Sequence, residues 1–151
     1  MGLPKSVIRL NKNGVQYVSS CDRAQYTIRE LTRAALRDVG KFIVRRCNDA
    51  AMKLPGMKKS VRVRGKTSVF GYWARKIECD LQVGIRWNTW YGAAQELGTS
   101  KMPKLGILRR TTHDNIAEIV KIESQYLSAL EDEAKALSLI DEGDYEGGAD
   151  D

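Results

Sequence analysis

"IECDLQVGIRWNTWYGAAQELG", residues 77–98, carries two periodicities in succession. Ile77, Cys79, Leu81, Val83, Ile85 and Trp87 alternate with Glu78, Asp80, Gln82, Gly84 and Arg86. A strict period of two predicts a strand with one face on a core and the other in water. After "NTW" the apolar positions change step. Trp90, Ala94 and Leu97 recur at helical spacing up to Gly98, which predicts a short helix. A strand running into a helix makes the fold mixed, and the flanking segments decide the mixture.

Upstream, "SVRVR" (60–64) and "GKTSVFGYWARK" (65–76) read as a strand and a long hairpin loop. Before them Leu31, Ala35, Val39, Phe42, Ile43, Cys47, Ala50, Ala51 and Leu54 follow a helical period, with Asp22 and Gln25 spaced as a capping box. This long helix should stop at Pro55-Gly56, where proline has no N–H to continue the ladder. Residues 1–21, with short alternations at 7–10 and 15–18, read as an arm or edge hairpin.

Downstream, Ile116, Ile119, Val120, Tyr126, Leu127, Leu130, Ala134 and Leu137 predict a second long helix. Thr111 or Thr112 would be its cap, and Asp114 and Glu118 would lie near its positive end. "DEGDYEGGADD" (141–151) has too little apolar content to fold and is expected to be a flexible acidic tail. The resulting expectation is an α+β fold: two long helices packed on a small antiparallel sheet, in a single domain over 22–140 with one core.

Charge is segregated along the chain. Residues 1–110 hold 23 Lys/Arg against 7 Asp/Glu, and residues 111–151 hold 2 against 12. A basic body suits nucleic acid or an acidic partner, and the acidic end suits a basic neighbour. Arg29, Arg33, Arg37, Lys41 and Arg45 form a basic stripe on the first helix, extended by Lys58, Lys59, Arg62 and Arg64 as a possible DNA or acidic-partner contact. Cys21, Cys47 and Cys79 are odd in number and form no CxxC pair, as expected of free thiols in a reducing compartment. No apolar run approaches the roughly 20 residues that span a bilayer, so no membrane role is expected.

Sequence signs of catalysis are sparse. His113 is the one histidine and has no Cys or His at zinc-ligand spacing. No GxSxG elbow occurs, and "GKTS" (65–68) lacks the earlier glycine of a phosphate-binding loop. Glu78 and Asp80 on one strand face with Lys76 beside them are an arrangement that some magnesium-dependent nucleases use, although alternating charge on a wet strand face arises without function. We expect no enzyme, cofactor or metal. Tyr72, Trp73 and Trp87 are candidate stacking surfaces for bases, so a basic nucleic-acid-binding module is the alternative.

The run "VGIRWNTWYGAAQELGTSKMPKLGILRRTTHDNIAEI", from Val83 to Ile119, resembles the C-terminal half of the neck family of long-tailed bacteriophages, small head-to-tail joining proteins related in role to tail-completion proteins. The shared features are a Val-Gly strand, a Tyr-Gly step, an alanine-rich segment, Glu-Leu-Gly-Thr, a Lys-Met-Pro loop and a Leu-Arg that leads into a helix. Tyr91, Glu96, Gly98, Thr99, Pro103, Leu108 and Arg109 are the matching positions. Where the family usually has Pro-Phe and Pro-Ala around its Leu-Arg, this chain has Gly106-Ile107 and Arg110-Thr111.

The resemblance implies a non-enzymatic virion protein of the head–tail junction, made and assembled in the host cytoplasm. It implies a homo-oligomeric ring through which DNA passes, a hexamer as first expectation and a dodecamer as second, bordered by other neck, portal/adaptor and tail-tube or terminator proteins. The matching positions, with Trp90 and Leu97 as further bulky anchors, are then expected at the subunit interface. Glu96, isolated among apolar neighbours, would do best with an arginine partner within the subunit or across the joint, and its loss should weaken assembly while leaving the monomer folded.

Overall fold

A computed structural model describes residues 8–19, 21–54, 62–63, 67–75, 77–87, 89–132 and 135–140. In chain order the elements are β1 (Ile8–Lys12), β2 (Val15–Ser19), α1 (Cys21–Lys53), β3 (Arg62–Val63), β4 (Thr67–Ser68), β5 (Phe70–Ala74), β6 (Leu81–Ile85), α2 (Trp90–Leu97), α3 (Ile107–Asp114) and α4 (Ile116–Ala129). A last helical segment, α5, covers 135–140. The strands form three separate antiparallel pairs, β1 with β2, β3 with β4 and β5 with β6. The architecture is α+β, as expected. The expected acidic tail, 141–151, lies outside the described residues, as do residues 1–7 of the arm.

The axis of the molecule is α1. Its 33 residues make a rod about 50 Å long at 1.5 Å per residue. It begins at Cys21, so Asp22 stands in the first turn, near the positive end of the dipole, instead of at the cap position. It ends at Lys53, just ahead of Pro55. Two apolar clusters line it. Val39, Ile43, Cys47 and Ala51 pack with Val69, Phe70 and Ile107, while Leu31, Ala34 and Ala35 pack with Tyr126, Ala136 and Ile140. Ile122 borders both, so the single core expected from chain length is two clusters strung along one helix.

The β5–β6 hairpin lies across the middle of α1. Phe70 pairs with Ile85, Tyr72 with Val83 and Ala74 with Leu81, so these side chains share one face. Tyr72 reaches α1 at Gly40, where an added Cβ would lie 2.5 Å from the ring. The strand is shorter than the period of two suggests. Cys79 has φ +50, and Asp80 faces Arg75 across the turn, so residues 77–80 close the hairpin and pairing starts at Leu81. Ile77 is 89% exposed and Trp87 is 95% exposed, one on each side of the true strand.

The predicted second long helix is three pieces. It starts early, at Ile107, and Thr111 and Thr112 lie inside α3 rather than capping it. Thr112 Oγ1 donates back to Leu108 O within α3 (2.9 Å), and Asn115 Nδ2 donates to Thr111 O (2.8 Å), which occupies a carbonyl in the last turn of α3. Helix α4 then runs back along α1. Ile119 meets the cluster at the C-terminal half of α1, Tyr126 meets Leu31 and Ala35, and the Tyr126 hydroxyl donates to Asp38 Oδ2. The β1–β2 hairpin turns at Asn13-Gly14, both with positive φ (55° and 78°), the backbone that a two-residue turn matched to strand twist requires.

Candidate assembly interface

Glu96 organises the stretch that resembles the neck family. It sits in the last turn of α2, and its carboxylate accepts hydrogen bonds from the backbone N–H of Ile107 (2.8 Å), Leu108 (2.9 Å) and Arg109 (3.5 Å). These are the first amides of α3, which have no partner within their own helix. A carboxylate there also meets the positive end of the helix dipole. The arginine expected as its partner is therefore replaced by three amides of the same chain.

The loop between the two helices is tied down along its length. Leu105 N–H donates to Gln95 O (3.0 Å), Gly106 N–H to Glu96 O (3.2 Å) and Gly98 N–H to Ala94 O (2.9 Å). Thr99 and Met102 form a bridge that closes the tip. Gly98 (φ +81) and Gly106 (φ +57) supply left-handed turns, and a Cβ at Gly98 would lie 2.9 Å from Lys104 N. The Gly-Thr to Lys-Met-Pro segment is thus a fixed loop whose tip, Thr99 to Lys104, is exposed.

The expected interface residues divide accordingly. Tyr91 and Leu108 are half-buried against the first cluster. Leu97, Thr99, Pro103 and Arg109 are exposed, while Gly98 is half-buried. Trp90 opens α2, and its side chain is outside the described part of the structure. Gly92 lets α2 sit on the hairpin, since a Cβ would lie 2.5 Å from Val69 Cγ1. Thr89, fully buried, was not singled out from the sequence. Its hydroxyl donates to Arg86 O (2.6 Å), and its own carbonyl accepts from Gly92 N–H (2.8 Å). The Thr that precedes an apolar run is the available sequence signal.

The basic stripe is partly neutralised. Arg33 lies 3.5 Å from Glu30 and Lys41 lies 4.0 Å from Asp38. Arg29 and Arg45 are exposed, whereas Arg37 is half-buried. Lys58, Lys59, Arg64 and the side chain of Arg62 lie outside the described residues. At α3 the expected interface residue Arg109 is joined by Lys104 and Arg110, which the sequence did not single out, around a shallow depression of about 380 Å³ with His113 and Asp114. His113 is in the last turn of α3, not the first turn of a helix.

The acids considered for metal chemistry are engaged otherwise. Arg75 forms a two-pronged pair with Asp80 and lies 3.1 Å from Glu78. That guanidinium holds the Asp80 carboxyl below its ordinary range. Lys76, the third member of that set, is outside the described residues. Among the described residues, no three of His, Cys, Asp and Glu come together to hold a metal ion, and no helix is long and apolar enough to cross a membrane.

Among the described residues, two apolar surfaces are left uncovered. One is the face of the β5–β6 hairpin turned away from α1: Gly71 pairs with Gly84, the Arg86 side chain lies across Gly71, and Trp73 (64% exposed) and Trp87 flank them. Tyr72, grouped with these tryptophans in the sequence, points the other way. The second is a groove of about 200 Å³ between α1 and α4, lined by Ile28, Leu31, Ala35, Tyr126, Leu127 and Leu130. Compared with family models, with curated proteins and with solved structures, the chain gives no match.

Proposed function

We propose that this protein is a structural component of a bacteriophage neck, a non-enzymatic subunit that closes into a homo-oligomeric ring joining head to tail and leaving a path for DNA. Six copies is the first expectation and twelve the second. The observation that supports the ring most directly is the presence of two unlike apolar surfaces on different elements, the outer β5–β6 face and the α1–α4 groove. Head-to-tail rings are built from such heterologous pairs, whereas a two-fold dimer uses one self-complementary patch. Support also comes from the resemblance of Val83–Ile119 to neck proteins, whose Glu-Leu-Gly-Thr and Lys-Met-Pro signature is here one tied unit held by Glu96.

The second reading is a nucleic-acid-binding module, favoured by the exposed cations Lys104, Arg109 and Arg110 around one depression. Light scattering and duplex-DNA titration at several salt concentrations separate the two. The neck reading predicts a discrete multimer with weak DNA affinity. A monomer whose DNA affinity falls steeply with salt, as expected when several phosphates are neutralised, would overturn it in favour of the second.

A further inference from the structure

We propose that the joint between neighbouring copies is made by the outer β5–β6 face of one copy seated in the α1–α4 groove of the next, with Trp87 as the anchor and Arg86 facing Glu123. This presupposes the ring proposed above and names its contact.

Each half shows an unmet requirement. Trp87 is 95% exposed and Trp73 64%, on a hairpin whose opposite face already covers α1. Large aromatics held in water beside an arginine laid across a glycine are the residue types that carry binding energy in protein interfaces. On the other half, α4 keeps two apolar rows. Ile119, Ile122 and Tyr126 turn to α1, while Ile116 (51%), Val120 (52%), Leu127 (66%) and Leu130 (44%) form an exposed row beside them. With Ile28 of α1, part of that row borders the groove. At about 200 Å³ the groove is on the scale of the roughly 150 Å³ apolar cavity that takes up a benzene ring, which is room for one ring of an indole.

Charge selects this pairing over other occupants. Glu123 lines the groove and Arg86 edges the hairpin face, and neither forms an ion pair among the described residues. Opposite charges beside two apolar patches set the register of a contact and disfavour like-with-like docking. Nucleic acid fits the hairpin face less well. Of its described cations, Arg75 is taken by Asp80 and Glu78, so Arg86 alone faces outward, and phosphate backbones need several.

The test is a charge exchange read by native mass spectrometry on the full chain. Arg86→Glu and Glu123→Arg should each assemble at least tenfold more weakly, by the order of magnitude expected of a hot-spot contact, and Trp87→Ala likewise. Trp87 and Glu123 are exposed and Arg86 is half-buried over Gly71, and unchanged circular dichroism verifies the fold of each variant. Mixing the two charge variants in equal amounts should restore rings with alternating subunits, because each joint then pairs Glu with Glu's opposite, and the double variant should assemble alone. Wild-type rings with undiminished assembly of Trp87→Ala and both charge variants would overturn the contact while sparing the ring. Loss of DNA affinity in Trp87→Ala with intact rings would do the same and assign the face to nucleic acid. A wild-type monomer would overturn both.

Discussion

Glu96 and Ile107, eleven residues apart, are joined by a 2.8 Å hydrogen bond from the Ile107 amide to the Glu96 carboxylate. Through this bond the end of α2 caps the start of α3, so the carboxylate that the sequence offers as an inter-subunit group acts first inside the subunit. Glu96→Ala should lower unfolding free energy by about 1.5–3 kcal/mol, the usual scale for hydrogen bonds to a charged group. Glu96→Gln keeps one of the two acceptor oxygens, sets an NH2 against the amide that the other served and removes the charge, so it should retain only part of the cap and cost about 1–2 kcal/mol. Urea denaturation of both variants checks this. Equal, near-zero effects would mean that the cap contributes nothing.

Gly40 is helical, and alanine there gains about 1 kcal/mol of helix propensity. The added Cβ would nevertheless lie 2.5 Å from Tyr72 Cδ2 and 2.7 Å from Cγ, so the hairpin has to shift. Gly40→Ala should therefore destabilise by about 1–3 kcal/mol, as overpacked cores do. In a double-mutant cycle the cost should shrink once Tyr72 is Leu. A stabilised Gly40→Ala would show that the hairpin does not rest on α1 at this point.

Burial pushes the Cys47 thiol up from 9.0 to about 11, and a nearby Glu96 charge acts in the same direction, against a lowering hydrogen bond with Thr111. Cys21 is exposed. An aromatic disulfide reagent at pH 8 should modify Cys21 at once and Cys47 only on unfolding. Below 9.0 the Cys47 thiol is neutral in both states. Between 9.0 and about 11 the unfolded chain ionises and the folded one does not, so stability should fall across that window, and a Cys47→Ala chain should lack that component.

Asp80 is the opposite case. Its carboxyl is held low by Arg75, so the pair stabilises the hairpin above the ordinary carboxylate range, and this contribution disappears as pH falls through the lowered value. Amide signals of β5 and β6 followed by NMR should show an acid transition that Asp80→Asn removes. An identical profile in the variant would separate the hairpin from this pair.

Much of the fold is readable where the physics is local. The period that defines α1 runs from Leu31 to the end of the helix, which stops just before Pro55 as the missing donor dictates. The Asn13-Gly14 turn is likewise local. What the sequence conceals depends on distant partners. The start of α3 is fixed by a carboxylate eleven residues upstream, beyond any cap signature centred on Thr111. The strand that begins at Leu81 is cut short by a positive φ at Cys79 and by the Arg75–Asp80 tie, although the alternation continues unbroken through Ile77. Leu127 and Tyr126 look alike in a helical pattern, yet one is exposed and the other buried. Which apolar rows face α1 depends on how α4 lies along it.

The proposed neck role requires that copies of the chain close head to tail. Class averages of the purified protein in negative stain examine it most directly. Closed rings of one size with an open centre, six-fold or twelve-fold, are the predicted result. Monomers, two-fold dimers or open filaments would contradict it.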